Sequence, residues 1–368
     1  MYLKILTCAT DVNPDPCRQQ RIRRLVSFDV DLDHLINMAI KEGLAGLLYK
    51  NFMKSGLMET LDRKQRERLQ SLYYRTVIFN LKLFHDLKEI LQLLNRKKIK
   101  VVLLQGVALF PQVYGDIGLR PMTDIDFWVL QEDYPGLISV LSSQGYERDP
   151  IYPNTFRKGS TTFDFHTHIL WADRIRAHKL LLAKSQECIY QETRIIHFEG
   201  QKALCLSPYD QILYLSLHAL KHNVDRLIWL VDIKNILTSW KRSDWAGLIN
   251  RTRELGQEKT ISFIFFLLLH MFDFKLPPEA WKLMERKRLN FLERKVLWRR
   301  IKKDSLPVWS PLVLFSTGKG LRKSFSLVFE TLFPRPEILR QVFENTPNRN
   351  IWQLYGMRIL QLLGMIKE

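Results

Sequence analysis

Residues 99–130 read IKVVLLQGVALFPQVYGDIGLRPMTDIDFWVL, and this stretch decides the fold. The run from residue 98 to 104 is apolar and rich in β-branched side chains, which predicts a buried strand. Gly106 follows it directly and marks a turn, after which residues 107–114 suit a short helix. A turn-rich segment then leads into residues 124–130, which predict a second strand. The order strand, turn, helix, strand indicates a small α+β unit.

The residues that follow extend this unit. Residues 132–145 have the apolar spacing of a helix and end at a glycine, which is typical of a helix C-terminus. Residues 155–169 predict a β-hairpin, because a Lys158-Gly159 turn precedes a run of alternating apolar and polar residues.

Helical segments enclose the unit on both sides. Residues 20–98 show helical periodicity, and the sequence Ser-Pro-Tyr-Asp that begins at Ser207 is a favourable helix start. We therefore predict an α+β protein with a small mixed β-sheet core flanked by helical N- and C-terminal regions. The predicted boundaries are 1–98, 99–206 and 207–368.

Three carboxylates stand out in the predicted sheet. Asp124 and Asp126 are two residues apart on one strand, so their side chains face the same side. Asp164 occupies a later strand, where Phe163 and Phe165 face the other way. Carboxylates crowded on one face repel each other, and Mg²⁺ or Mn²⁺ would remove that cost. The arrangement is typical of phosphoryl transfer, although Asp-x-Asp also occurs in surface turns that bind nothing.

These residues resemble the uncharacterised bacterial nucleotidyltransferases of the polymerase-β superfamily. The resemblance is carried by the segments 103–109 (LLQGVAL), 114–116 (YGD), 120–129 (RPMTDIDFWV), 145–146 (GY), 163–166 (FDFH), 207–210 (SPYD), 217–222 (LHALKH), 227–232 (LIWLVD) and, loosely, 333–336 (FPRP). It covers most of the chain, and the specific motifs are concentrated between residues 100 and 235. It implies metal-dependent transfer of an NMP group from an NTP to an acceptor, with release of pyrophosphate. The acceptor is open: a small molecule, a protein or an RNA.

The resemblance also implies roles for individual residues. The catalytic and metal-binding residues would be Asp124, Asp126 and Asp164. The nucleotide-binding residues would be Gly106, Val107, Arg120 and Thr123. In the superfamily the glycine turn holds the nucleotide phosphates, two acids bind the metal ions, and the third acid works on the acceptor.

Two positions depart from the pattern of the family. The second residue of the glycine turn is usually Gly or Ser, whereas Val107 offers neither a hydroxyl nor the same backbone freedom. Relatives often have Lys before the glycine, where this chain has Gln105, so a cation for the triphosphate is missing. These departures motivate an alternative of a different class, a non-catalytic nucleotide- or RNA-binding adaptor on the same fold.

Three histidines are further candidates near the site. His166 follows Asp164 by two residues, so it could contact a metal ion or the acceptor, or only orient Asp164. His218 and His222 are four residues apart on a predicted helix and therefore share a face. They could reach a nucleotide, support the residues that do, or serve packing alone.

The composition bears on partners and location. The 56 Lys and Arg residues against 38 Asp and Glu give a formal net charge of +18, which favours polyanions such as nucleic acid or nucleotides. Residues 281–303 are predicted to form the most basic helix, suited to RNA, to peripheral contact with an anionic surface, or to plain solvation. The apolar run 261–272 is too short to span a membrane and predicts a buried helix. Four scattered cysteines without a CxxC pair predict reduced thiols and a cytoplasmic location.

Overall fold

A seven-stranded mixed sheet organises the fold. The computed structural model describes residues 1–26, 30–172, 175–303, 305–316, 320–344, 346 and 349–365. The strands are β1 (Val101–Leu103), β2 (Ile125–Val129), β3 (Glu147–Arg148), β4 (Thr155–Lys158), β5 (Thr161–His166), β6 (Arg194–Phe198) and β7 (Gln201–Cys205). Their order in the sheet is β3-β4-β5-β2-β1-β7-β6. Strand β2 runs parallel to β5 and antiparallel to β1, and β1 runs parallel to β7.

Helices precede, interrupt and follow the sheet. Before it come α1 (Tyr2–Cys8), α2 (Pro16–Val26), α3 (Leu32–Lys41), α4 (Ala45–Lys54) and α5 (Arg63–Arg96). Between the strands lie α6 (Gln105–Leu109), α7 (Tyr134–Ser143) and α8 (Glu187–Tyr190). After it come α9 (Pro208–Lys221), α10 (Ile228–Thr238), α11 (Arg242–Glu254), α12 (Glu258–Phe272), α13 (Pro278–Arg286), α14 (Phe291–Lys302), α15 (Ser310–Ser316), α16 (Leu321–Leu332), α17 (Pro336–Val342) and α18 (Ile351–Leu362). The α+β class and the helical flanks are confirmed, while the division into three segments stays a prediction.

The sheet separates an apolar face from a polar one. Phe127 of β2 stacks on Phe165 of β5 with ring centroids 4.8 Å apart, and Phe163 lies 5.4 Å from Phe127. These three side chains are completely buried. Since side chains alternate along a strand, the intervening residues Asp126 and Asp164 face the opposite side. The aromatic face thereby anchors the two strands that carry the carboxylates.

Strands β6 and β7 are a finding of the structure that the sequence analysis does not predict. They form a hairpin whose turn residues, Glu199 and Gly200, both have positive φ angles of 47° and 79°. Such a pair is the signature of a tight two-residue hairpin turn, so the Glu-Gly dipeptide was the available signal. Strand β7 then pairs with β1, with Val102 opposite Leu204.

Residues 281–303 do not form the single basic helix that the sequence predicted. Helix α13 ends at Arg286 and α14 begins at Phe291. At the break, Oδ1 of Asn290 accepts a hydrogen bond from the backbone N–H of Glu293 at 2.8 Å, and Oε2 of Glu293 accepts one from the N–H of Asn290 at 2.7 Å. This capping box satisfies backbone donors at the start of a new helix, which explains the interruption.

The most apolar run of the sequence is a buried helix, as predicted. Helix α12 contains it, and most of its apolar side chains are buried. In the part of the chain that the structure describes, no helix is long and apolar enough to cross a membrane. All four cysteines are free thiols.

Candidate active site

Two carboxylates lie side by side on neighbouring strands. In the parallel pair β2–β5, Asp126 and Asp164 are direct partners in the register. Asp124 immediately precedes β2 and lines the same pocket. Strand pairing therefore brings together Asp126 and Asp164, which are 38 residues apart in sequence, and Asp124 lies just before the strand that carries Asp126. The sheet, rather than a flexible loop, fixes the spacing between Asp126 and Asp164.

A histidine completes a potential set of metal ligands. One ligand atom from each of Asp126, Asp164 and His166 lies within 4.8 Å of the others. Nε2 of His166 is 3.4 Å from Oδ1 of Asp126 and 3.7 Å from Oδ2 of Asp164. Two carboxylates and an imidazole suit Mg²⁺, Mn²⁺ or another divalent ion, with the imidazole favouring Mn²⁺ over Mg²⁺. His166 thus lies beside both carboxylates, closer to Asp126 than to Asp164, and its role stays a prediction.

The electrostatics of the acids also favour a cation. Burial and the charge of Asp126 raise the pKa of Asp124 to about 7, although Thr123 donates a hydrogen bond of 2.9 Å to its Oδ1. Burial and Asp126 likewise raise the pKa of Asp164, and the proximity of His166 opposes this shift. Raised carboxylate pKa values mean that negative charge is costly here, and a bound cation would relieve that cost.

Gly106 is required by its surroundings. A Cβ atom at this position would lie 2.2 Å from Nη1 of Arg120 and 3.1 Å from the side chain of Met122. Arg120 is itself held: its Nε and Nη2 donate hydrogen bonds of 2.8–3.0 Å to the buried carboxylate of Asp232. Tyr114 donates a further bond of 2.6 Å to Asp232. Gly106 lies in the first turn of α6 and not in a separate turn before the helix, and a buried ion pair that the sequence does not indicate supports it.

The other predicted nucleotide-binding residues fall into two groups. Gly106, Arg120 and Thr123 line the pocket, as does Gln105, which was not among the predicted nucleotide-binding residues. The side chain of Val107 does not; it is 1% exposed and belongs to the hydrophobic core. Gln105 has a φ angle of 50°, a left-handed conformation that is uncommon outside glycine and that shapes the turn. For Arg120, the bonds to Asp232 occupy two of the three guanidinium nitrogens.

A pocket of about 230 Å³ opens over the acids and has a second wall of different chemistry. This wall comes from the end of α9, the loop that follows it, the start of α10 and the segment after β5. Its charged and aromatic members are Trp171, His218, Lys221, His222, Arg226 and Trp229. The sequence indicates the two histidines but not the other four residues. Lys221, Arg226 and Trp229 lie in or beside the segments that carry the family resemblance, whereas no signal in the sequence marks Trp171.

The two histidines of this wall occupy different environments. His218 is 7% exposed, and burial together with the neighbouring His222 and Lys221 lowers its pKa well below the ordinary value. His222 is exposed at the C-terminal end of α9. Lys221 places its ammonium 3.8 Å from the ring centroid of Trp171, a cation–π contact. The wall is thus cationic and aromatic, opposite in sign to the carboxylates.

A buried ion pair fixes the loop that carries this wall. The loop contains Asn223 and Val224 with φ angles of 55° and 47°, and a left-handed β-branched residue is strained. Arg300 donates from Nε to the carbonyl oxygen of Val224 and from Nη2 to Glu42 at 2.8 Å. Glu42 in turn accepts the N–H of Leu227 at 2.7 Å. Two distant segments of the chain therefore hold the strained loop in place.

We expect Arg300→Met to reduce the free energy of unfolding by about 3–5 kcal/mol, because it leaves Glu42 charged, buried and without its cation. Urea denaturation measures this. The matched control is Arg242→Met, which removes an ion pair whose arginine is 86% exposed and should cost less than about 1 kcal/mol. Equal losses in the two variants would show that the Glu42–Arg300 pair contributes no more than a surface contact.

The chain matches a family model described as an uncharacterised nucleotidyltransferase over residues 29–273, more than half of its length. That range contains both walls of the pocket and the Arg120–Asp232 pair, whereas Arg300 lies beyond it. No curated protein matches the chain.

Proposed function

This chain belongs to that family of nucleotidyltransferases, and we propose that it moves a nucleoside monophosphate from an NTP to a hydroxyl group of an acceptor. The acceptor oxygen forms a new bond to the α-phosphorus, the bond from that phosphorus to the bridging oxygen breaks, and pyrophosphate leaves. The observation that carries the proposal is the register that sets Asp126 beside Asp164 and within reach of His166. The acceptor is a small molecule, a protein or an RNA.

The acids would hold Mg²⁺ or Mn²⁺, which neutralises phosphate charge and polarises the α-phosphate when bound. Asp126 on β2 and Asp124 immediately before it would hold the cation. Asp164 accepts the proton of the acceptor hydroxyl; its raised pKa suits a general base. Thr155 donates a hydrogen bond of 3.1 Å to Oδ1 of Asp164, which leaves Oδ2 toward His166 and the pocket.

The triphosphate would lie between the glycine turn and the cationic wall. At Gly106 the absence of a side chain lets the guanidinium of Arg120 lie against the backbone at the edge of the pocket. Lys221 and Arg226 line the same pocket and can supply the positive charge that Gln105 lacks. Arg120 acts mainly through its bonds to Asp232, which fix the turn, and adds the charge of its Nη1 side.

Pyrophosphate release tests this function directly. The purified protein is incubated with Mg²⁺ or Mn²⁺, each of the four NTPs in turn, and cell extract as a source of acceptor, with a chelator as the negative control. Metal-dependent release, with the α-phosphate label appearing in a product, is the expected result. Binding of NTP without any release would instead favour the nucleotide- or RNA-binding adaptor. Since NTPs are cytoplasmic substrates and the cysteines are free thiols, we propose a cytoplasmic location.

Metal binding should weaken in acid. The pKa of Asp124, raised to about 7, implies that this group is mostly protonated at pH 6 and mostly ionised at pH 8. A cation must displace that proton, so the apparent affinity for Mn²⁺ should fall about tenfold from pH 8 to pH 6. The raised pKa also makes the metal-free protein less stable as pH rises through 7, so added Mn²⁺ should raise Tm more at pH 8.

The control for the pH effect is Asp124→Asn, in which this proton is absent. Thermal unfolding with and without Mn²⁺ at the two pH values measures both proteins. The variant should show a smaller difference between pH 6 and pH 8 than the natural chain. An identical Mn²⁺ response at the two pH values in the natural chain would contradict the assignment of Asp124 to the metal site.

A further inference from the structure

Three rings on the wall opposite the carboxylates pack against one another. The ring centroids of His218 and His222 are 4.6 Å apart. The ring centroid of Trp229 lies 5.1 Å from that of His218 and 5.3 Å from that of His222. All three line the pocket. We call these residues the ring cluster. It joins the last turns of α9 to the first turn of α10.

The ring cluster is not simply part of the hydrophobic core. Trp128 and Trp171 are at most 2% exposed, whereas Trp229 is only half-buried and His222 is exposed. The cluster therefore offers ring surface to whatever enters the pocket. An aromatic surface beside metal-binding carboxylates suits a ligand that has both phosphates and a planar ring system.

A second observation also points to a ligand. His218 is 7% exposed, and its Nδ1 is buried without a hydrogen-bond partner among the described residues. Buried polar atoms in proteins are usually paired, so an unpaired atom on a residue that lines the pocket indicates a missing partner. Burial and the positive neighbours keep this imidazole neutral, as its lowered pKa indicates. A neutral ring stacks on an uncharged planar ligand without adding a charge of its own.

We propose that the ring cluster is the binding site for the nucleobase of the NTP. The proposal rests on the function proposed above and adds the part of the substrate that each wall binds. The phosphates lie between the carboxylates and the cations Lys221 and Arg226, and the base stacks on Trp229 and His222. Stacking accepts every base because each has a π-face, so the cluster sets affinity for nucleosides rather than the choice among the four bases.

The test compares two ligands that differ by the nucleoside. One is the NTP that binds the natural chain most tightly among the four, and the other is inorganic tripolyphosphate, both with Mn²⁺ and measured by calorimetry. Loss of a stacking partner weakens binding of a base by about tenfold to a hundredfold. We expect Trp229→Ala to weaken NTP binding by that factor and to leave tripolyphosphate binding unchanged. Trp229→Phe should retain most of the NTP affinity.

Two further variants guard against a general loss of structure. His222→Ala alters an exposed side chain and should also weaken NTP binding selectively. Trp281→Ala removes an exposed tryptophan (42%) outside the pocket and should change neither ligand. If Trp229→Ala and His222→Ala weakened the binding of both ligands equally, the ring cluster would not be the nucleobase-binding site. Equal affinity of the natural chain for NTP and tripolyphosphate would contradict the proposal in the same way. If the natural chain bound neither ligand, the proposed function itself would fail, and with it the proposed nucleobase-binding site.

Discussion

Replacement of Asp126 by Asn is expected to lower kcat/KM for nucleotidyl transfer by about a thousandfold or more, because the loss of one metal-binding charge removes several kcal/mol of transition-state stabilisation. Asn has the same shape as Asp, so the strand register and the contact with His166 remain possible. The substitution also removes a charge that raises the pKa of Asp124 and of Asp164. The metal-free variant should therefore be at least as stable as the natural chain near pH 8.

This combination of lost activity and retained stability separates a catalytic role from a structural one. Steady-state kinetics and thermal unfolding without metal measure the two quantities. The matched control is Asp273→Asn, which neutralises an exposed carboxylate in a surface ion pair with Arg21. The control should keep its activity. Transfer at the natural rate by Asp126→Asn would remove Asp126 from the mechanism.

Replacement of Gly106 by Ala is expected to have the second largest effect. The new Cβ would lie 2.2 Å from Nη1 of Arg120, far inside van der Waals contact. Arg120 cannot retreat easily, since it is bound to Asp232, which is completely buried and also holds Tyr114. The turn must therefore move instead. A shift of about 1 Å at a site of chemistry can cost about a hundredfold in rate.

The same overpacking should reduce the free energy of unfolding by about 1–3 kcal/mol. Gly115→Ala is the matched control: it lies in the same segment of the chain, and a Cβ there would meet nothing within 4 Å. Kinetics and urea denaturation on both variants measure the contrast. If Gly106→Ala were as active and as stable as Gly115→Ala, the tight packing of the turn against Arg120 would have no functional consequence.

The sequence predicts those parts of the fold that depend on local patterns. The apolar run before Gly106 and the alternation around Asp164 identify β1 and β5, because a strand shows its burial in its own residues. The start of α9 is equally local: the hydroxyl of Ser207 accepts the N–H of Asp210 at 3.2 Å. Such signals need no knowledge of the rest of the chain.

The sequence does not predict the contacts between distant segments. Arg120 and Asp232 are 112 residues apart, and Glu42 and Arg300 are 258 residues apart. Nothing near either residue in the chain indicates its partner, since ion-pair geometry depends on how the helices pack around the sheet. The sequence therefore indicates only a nucleotide-binding role for Arg120, whereas two of its three guanidinium nitrogens bind Asp232.

In the candidate site, too, the sequence indicates the residues that belong to a local pattern but not the contacts between distant segments. Asp124, Asp126 and Asp164 are identifiable because two-residue spacing on a strand places side chains on one face. The second wall of the pocket is not, because it depends on how α9 and α10 lie over the sheet. His218 and His222 are visible as a helical pair, but the ring contact with Trp229 appears only in three dimensions. The sequence therefore indicates the acids of the candidate site but not the wall that faces them.

Anomalous diffraction tests most directly whether the carboxylates bind a divalent cation that carries the NTP. Crystals of the protein would be soaked with Mn²⁺ and an NTP analogue whose α,β-bridge cannot be cleaved. We predict an anomalous peak about 2.2 Å from carboxylate oxygens of Asp126, with the triphosphate of the analogue beside it and next to Gly106. A pocket without Mn²⁺, or an analogue bound away from Asp126 and Asp164, would contradict this prediction.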